Sequence, residues 1–174
     1  GGSSDLSTWK RSQASNYAQP AVNEGYEWGG GCYKLNDRDD TPLYDYDDGG
    51  EGADCAGFVF KVWAMKQDGT SAYRQWDHDK DVHGPYSTWD YNDPATNDPF
   101  KFISKSYSST MYMDAFTWRF PDIGHIGMIH AEGSGGFDYI IHARNNTVGT
   151  VIDWIDYRSA SYTKGLMRKA WTPE

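Results

Sequence analysis

Apolar residues recur at helical spacing in the first third of the chain. Beyond residue 113 they come in short runs that alternate with polar residues and stop at turn residues. In the first part, Asp5 or Ser7 is placed to cap a helix through Trp9 to Ala18, which Pro20 interrupts and Gly25 closes. A second helix is signalled more strongly. Phe58, Val59, Val62 and Trp63 form an apolar stripe in phase with Cys55, Asp54 is a good N-cap, and Lys66-Gln67-Asp68-Gly69 reads as the end. In the last part, strands are predicted over Asp114–Trp118, His125–Ala131, Asp138–Ala143, Val148–Trp154 and Gly165–Trp171. Pro121-Asp122 and Gly133-Ser134-Gly135-Gly136 supply turns, which makes an antiparallel meander. Residues 68–110 are polar, aromatic and rich in Pro, Asn and Asp, and read as a long irregular insertion of the kind that lines a substrate groove. No repeat and no linker composition interrupts the chain, so the pattern predicts one α+β domain over residues 1–174. Residues 1–8, opening Gly1-Gly2-Ser3-Ser4, read as a tag or linker remnant.

Candidate chemistry follows from where these elements put three side chains. Cys55 falls in the first turn of the second helix, where the positive end of the helix dipole favours a thiolate, so its pKa is expected below the free value of about 8.5. A core cysteine on a core helix fits the same block equally well. Along the strand from His125, residues His125, Gly127 and Ile129 share a face and His130 points the other way. A hairpin centred on Ser134-Gly135 puts His142 opposite Gly127, as a diagonal neighbour of His125; a slip of one residue would undo the pairing. Two histidines on one face and a cysteine at a helix start suit a thiol nucleophile, a base and a group that orients the base.

Composition narrows the partners. The 174 residues suit a domain with its own core, and a net charge of −9 argues against nucleic acid. No apolar run is long enough to span a membrane, and no segment reads as a signal peptide. Cys32 and Cys55 are the two cysteines; a disulfide between them is the main structural alternative to a catalytic Cys55. The loop at 36–54 holds Asp37, Asp39, Asp40, Asp45, Asp47, Asp48, Glu51 and Asp54, which is either a solvated surface or a calcium site with Asp45, Asp47 and Glu51 as ligands. Asp77, Asp79, Asp81 and Gly84 match an EF-hand loop poorly, because the glycine is misplaced and no terminal Glu follows. His78 and His83 read as exposed.

Four blocks in order then carry a resemblance: Tyr26-x-Trp28-Gly29-Gly30; Gly52-x-Asp54-Cys55-x-Gly57-Phe58; Asp114-Ala115-Phe116 with His125-Ile126-Gly127; and Ile141-His142-Ala143. Over roughly residues 10–171 the chain resembles the NlpC-type cell-wall cysteine peptidases. The resemblance implies a papain-like α+β fold and a secreted or wall-associated, monomeric enzyme that hydrolyses peptidoglycan stem peptides, typically between γ-D-glutamate and a diamino acid. It implies Cys55 as nucleophile, His125 as base and His142 as third polar residue. Tyr26, Trp28 and Asp54 would bind substrate, Tyr26 and Asp54 near its N-terminal amine. No cofactor is required by the resemblance, although calcium in an Asp-x-Asp loop occurs among the neighbouring CHAP amidases. Departures are Ala56 where serine is common, Met113 where a small residue is usual, a long gap from Gly30 to Gly52, and the insertion at 68–110. A CHAP-like amidase, a related acyltransferase and a non-catalytic wall-binding module remain as alternatives.

Overall fold

The computed structural model describes residues 8–31, 52–66 and 82–174. Its elements are α1 (Arg11–Ala18), α2 (Cys55–Val62), α3 (Thr88–Asn92), β1 (Phe100–Ile103), β2 (Ala115–Arg119), β3 (Gly124–Glu132), β4 (Asp138–Asn145), β5 (Gly149–Ile155) and β6 (Lys164–Arg168). Helices and one antiparallel sheet make an α+β architecture, with strand order β1-β6-β2-β3-β4-β5. The expected meander holds for β2 to β5. The last strand departs from it by returning to insert between β1 and β2.

Two predicted helix boundaries move, each for a local reason. α1 starts at Arg11 rather than Trp9, because Lys10 forms a parallel bridge to Thr172 and its N–H donates to the Gln13 side chain at 3.0 Å. α2 stops at Val62, well before Lys66. Ala64 takes a left-handed φ of 47°, Ala64 N–H donates to Lys61 O, and Met65 N–H donates to Phe60 O, which is a Schellman ending with alanine in the usual glycine place. Side chains satisfy the remaining carbonyls: Trp9 Nε1 donates to Val62 O at 2.8 Å and Arg168 Nε to Trp63 O at 2.6 Å.

Two short elements inside 68–110 escape a periodicity argument. α3 has five residues and is held by its cap, with Ser87 N–H on Asp90 Oδ2 at 2.7 Å. β1 has four residues and exists through its pairing with β6.

The sheet buries both faces. Ile126, Met128, Ile141, Ala143, Ala115 and Leu166 join Phe58, Val59 and Val62 of α2 in the main core. Phe116, Ile129 and Ile140 form a smaller cluster on the other face.

The β3–β4 hairpin differs from expectation in an instructive way. Pairing of Glu132 with Asp138 centres the turn on Gly135, not on Ser134-Gly135. That turn alone would set His142 against Met128, on the wrong face. A bulge at His130 absorbs the half-step, so Ile129 pairs with Ile140 and Met128 with Ile141. Continuing this register sets His142 opposite Gly127, beside His125.

Candidate active site

Cys55 is the first residue of α2, and Asp54 caps the helix through Oδ1, which accepts from Gly57 N–H at 2.8 Å. The glycine-rich segment before the helix is laid against this cap. Asp54 Oδ2 accepts from Gly29 N–H at 3.1 Å, Asp54 N–H donates to Gly30 O, and Gly31 bridges Ala53. A Cβ on Gly57 would come within 2.2 Å of Gly30 O, so both backbones need the missing side chain to approach so closely.

Across from the helix start, β3 supplies His125. His125 shares a cavity of about 450 Å³ with Cys55; Tyr26, Trp28, Trp118, Arg144 and Tyr157 also line it. The Cys55 sulfur accepts a backbone hydrogen bond from Ile126, the residue after His125. Trp118 sits opposite His125 in the β2–β3 register, with ring centroids 6.0 Å apart, and Tyr157 lies 6.2 Å away. His125 Nε2 is 2.7 Å from His142 Nδ1, and His142 Nε2 is 2.8 Å from Asp153 Oδ2. Gly127 makes room for His142: a Cβ there would lie 2.6 Å from Ile140 Cγ2 and 3.3 Å from His142 Cβ.

The electrostatics reverse one expectation. Burial, and then the neighbouring Asp54 carboxylate, push the Cys55 thiol up to about 12, against the pull of nearby backbone amides. The helix-start position is therefore not enough to lower the thiol pKa as expected. Burial, with His142 and Arg144 beside it, pushes His125 down to about 3. Burial also lowers His142, opposed by its bond to Asp153. Burial thus favours the neutral form of both Cys55 and His125.

The six expected residues at the site fall together. Cys55, His125, Tyr26 and Trp28 line the first cavity, with His142 directly behind His125. Asp54 lines an adjoining cavity of about 620 Å³, which shares Trp28, Cys55, Ile123 and Gly124 with the first and adds His83, Trp89, Arg119 and Asp122. Asp45, Asp47 and Glu51 lie outside the described residues, as do Cys32, His78 and the run Asp77–Asp81. Cys55 itself carries a free thiol. His83 corrects the reading of an exposed histidine: its Nε2 lies 2.9 Å from Asp54 Oδ1 and its side chain is largely covered. Asp153 and Arg144 were not singled out from sequence. The signal was available, since Asp153 is the acid in the strand following His142, and Arg144 stands two residues after His142.

No family model matches this chain, and no curated protein matches it.

Proposed function

We propose that this chain is a thiol hydrolase of the NlpC type that cleaves amide bonds in peptidoglycan stem peptides, with γ-D-glutamyl–diamino acid bonds as the first target. The observation that carries the reading is a free thiol at a capped helix start opening on the same cavity as a histidine that a second histidine holds from behind. A helix bearing the nucleophile, packed on an antiparallel sheet bearing the base, is also what a papain-like fold requires.

Because burial favours the neutral form of both groups, the dyad would work by general-base catalysis rather than from a preformed ion pair. As the Cys55 sulfur attacks the amide carbonyl, its proton passes to His125. The Cys55 backbone N–H at the helix start helps to hold the oxyanion. The C–N bond then breaks and His125 returns the proton to the leaving amine. Water, deprotonated by His125, hydrolyses the thioester and regenerates the thiol. Tyr26 lines the cavity that Cys55 shares with His125 and Asp54 the adjoining one, and the two would bind the substrate amine.

A CHAP-like amidase cutting between sugar and peptide is the second reading. It is favoured by Trp28 and Trp89, 67% and 57% exposed, on the rim of the 620 Å³ cavity, where a sugar ring could stack. Mass spectrometry of purified muropeptides incubated with wild type and Cys55→Ala tests both. A new diamino acid amine supports the endopeptidase, and release of the whole peptide from the sugar supports the amidase. Intact muropeptides with the wild type, or equal cleavage by Cys55→Ala, overturn the proposal.

A further inference from the structure

We infer that Asp153 is a positioning residue for the base: acting through His142, its carboxylate holds His125 in the one tautomer able to take a proton from Cys55. The inference rests on the proposed thiol chemistry only for the source of that proton.

The β4–β5 register sets Asp153 opposite Ile140 and one diagonal step from His142, on the same face of the sheet. An ionised carboxylate only accepts hydrogen bonds, so the 2.8 Å contact requires the proton on His142 Nε2. A neutral imidazole carries one N–H, which leaves His142 Nδ1 bare. The 2.7 Å contact must then be donated by His125 Nε2–H. One nitrogen of His125 remains, Nδ1, and it is unprotonated. Asp153 thereby decides, two rings away, which nitrogen of the base is free.

Without the carboxylate the polarity of the chain can reverse. His142 would donate from Nδ1, His125 would accept at Nε2, and its Nδ1 would already carry a proton. That tautomer cannot act as base toward the thiol. The rings of Trp118 and Tyr157 wall the pair and leave little else to set the tautomer. Among the described residues, the charged or titratable groups that face the pair or share its cavity are Asp153, Arg144, Tyr26, Tyr157 and Cys55. Arg144 Nη1 lies 3.4 Å from the same Asp153 oxygen. Once His125 holds the proton, the carboxylate also stabilises the positive charge on the pair.

Asp153→Asn is nearly isosteric and can donate to His142 Nε2, so it allows the reversed chain; Asp153→Glu keeps the carboxylate. Long-range ¹H–¹⁵N NMR at neutral pH should show both rings protonated at Nε2 in the wild type. Asp153→Asn should move His125 partly or wholly to the Nδ1–H tautomer, and Asp153→Glu should restore Nε2–H. On muropeptides, Asp153→Asn should lose at least about tenfold in kcat with KM changed less than about twofold. The acid limb of its pH profile should move to lower pH, because the imidazolium has lost its anionic partner. An unchanged His125 tautomer in Asp153→Asn, or kcat within about twofold of wild type, overturns the inference. If the wild type cleaves no muropeptide, the functional reading falls, and the NMR comparison alone still decides the role of Asp153.

Discussion

Cys55 sits between two opposing influences. The helix start and nearby backbone amides favour its thiolate, while burial and Asp54 disfavour it, and burial wins. Iodoacetamide should therefore label Cys55 in the free protein on the order of tenfold or more slowly, at pH 7.5, than a free cysteine of pKa about 8.5. Labelling as fast as a free thiol would mean that the dyad rests as an ion pair. Cys55→Ala should abolish turnover, and His125→Ala should cost nearly as much, because nucleophile and base act as a unit. His130 is the extra residue of the β3 bulge and lines a different cavity, with Met111, Tyr112, Ala131 and Glu132. His130→Gln should keep most of the activity in the same muropeptide assay; a dead His130→Gln beside an active His125→Gln would transfer the base to His130.

At the scale of elements, the β3–β4 hairpin decides whether the site exists. His142 can stand beside His125 because the bulge corrects the register and because Gly127 has no side chain. Gly127→Ala inserts a methyl against Ile140 and the base of His142. Overpacking of this kind costs about 1–3 kcal/mol. Thermal melting should show that loss, and kcat should fall as His142 is displaced. A variant with unchanged melting temperature and kcat would show that the sheet yields at this point without moving the pair.

For the whole molecule, the neutral dyad ties stability to pH at both ends. His125 is held at about 3 in the folded chain against an ordinary value of 6.5. Below 6.5 the unfolded chain binds the proton that the folded chain refuses, so this contribution is present above 6.5 and is lost as pH falls toward 3. Cys55 is raised to about 12 from 9.0. Its contribution is present below 9 and is lost as pH rises toward 12. Denaturant unfolding across pH 4–10 should find a plateau between about 6.5 and 9. His125→Gln should flatten the acid limb relative to wild type, and Cys55→Ala the alkaline limb. Asp114, whose pKa burial raises, works against the acid limb, so the comparison with His125→Gln isolates the histidine. Parallel pH slopes in wild type and both variants would place the titrating groups elsewhere.

What the sequence by itself determined was local. Helical spacing and an Asp N-cap placed Cys55 at the start of α2, and period-two alternation put His125 and Gly127 on one face and His130 on the other. Those are properties of a few consecutive residues, so a linear reading reaches them. The tertiary structure decided what depends on distant segments meeting. It ended α2 at Val62 with an alanine cap supported by Trp9 and Arg168, which lie far away in the chain. It placed β6 beside β2, brought Asp153 against His142 and His83 against Asp54, and restored the hairpin register through a bulge that no local preference announces. It also set burial against the expected thiolate. The helix dipole belongs to the chain's local geometry, but desolvation depends on everything packed around the sulfur, and here it is the larger effect.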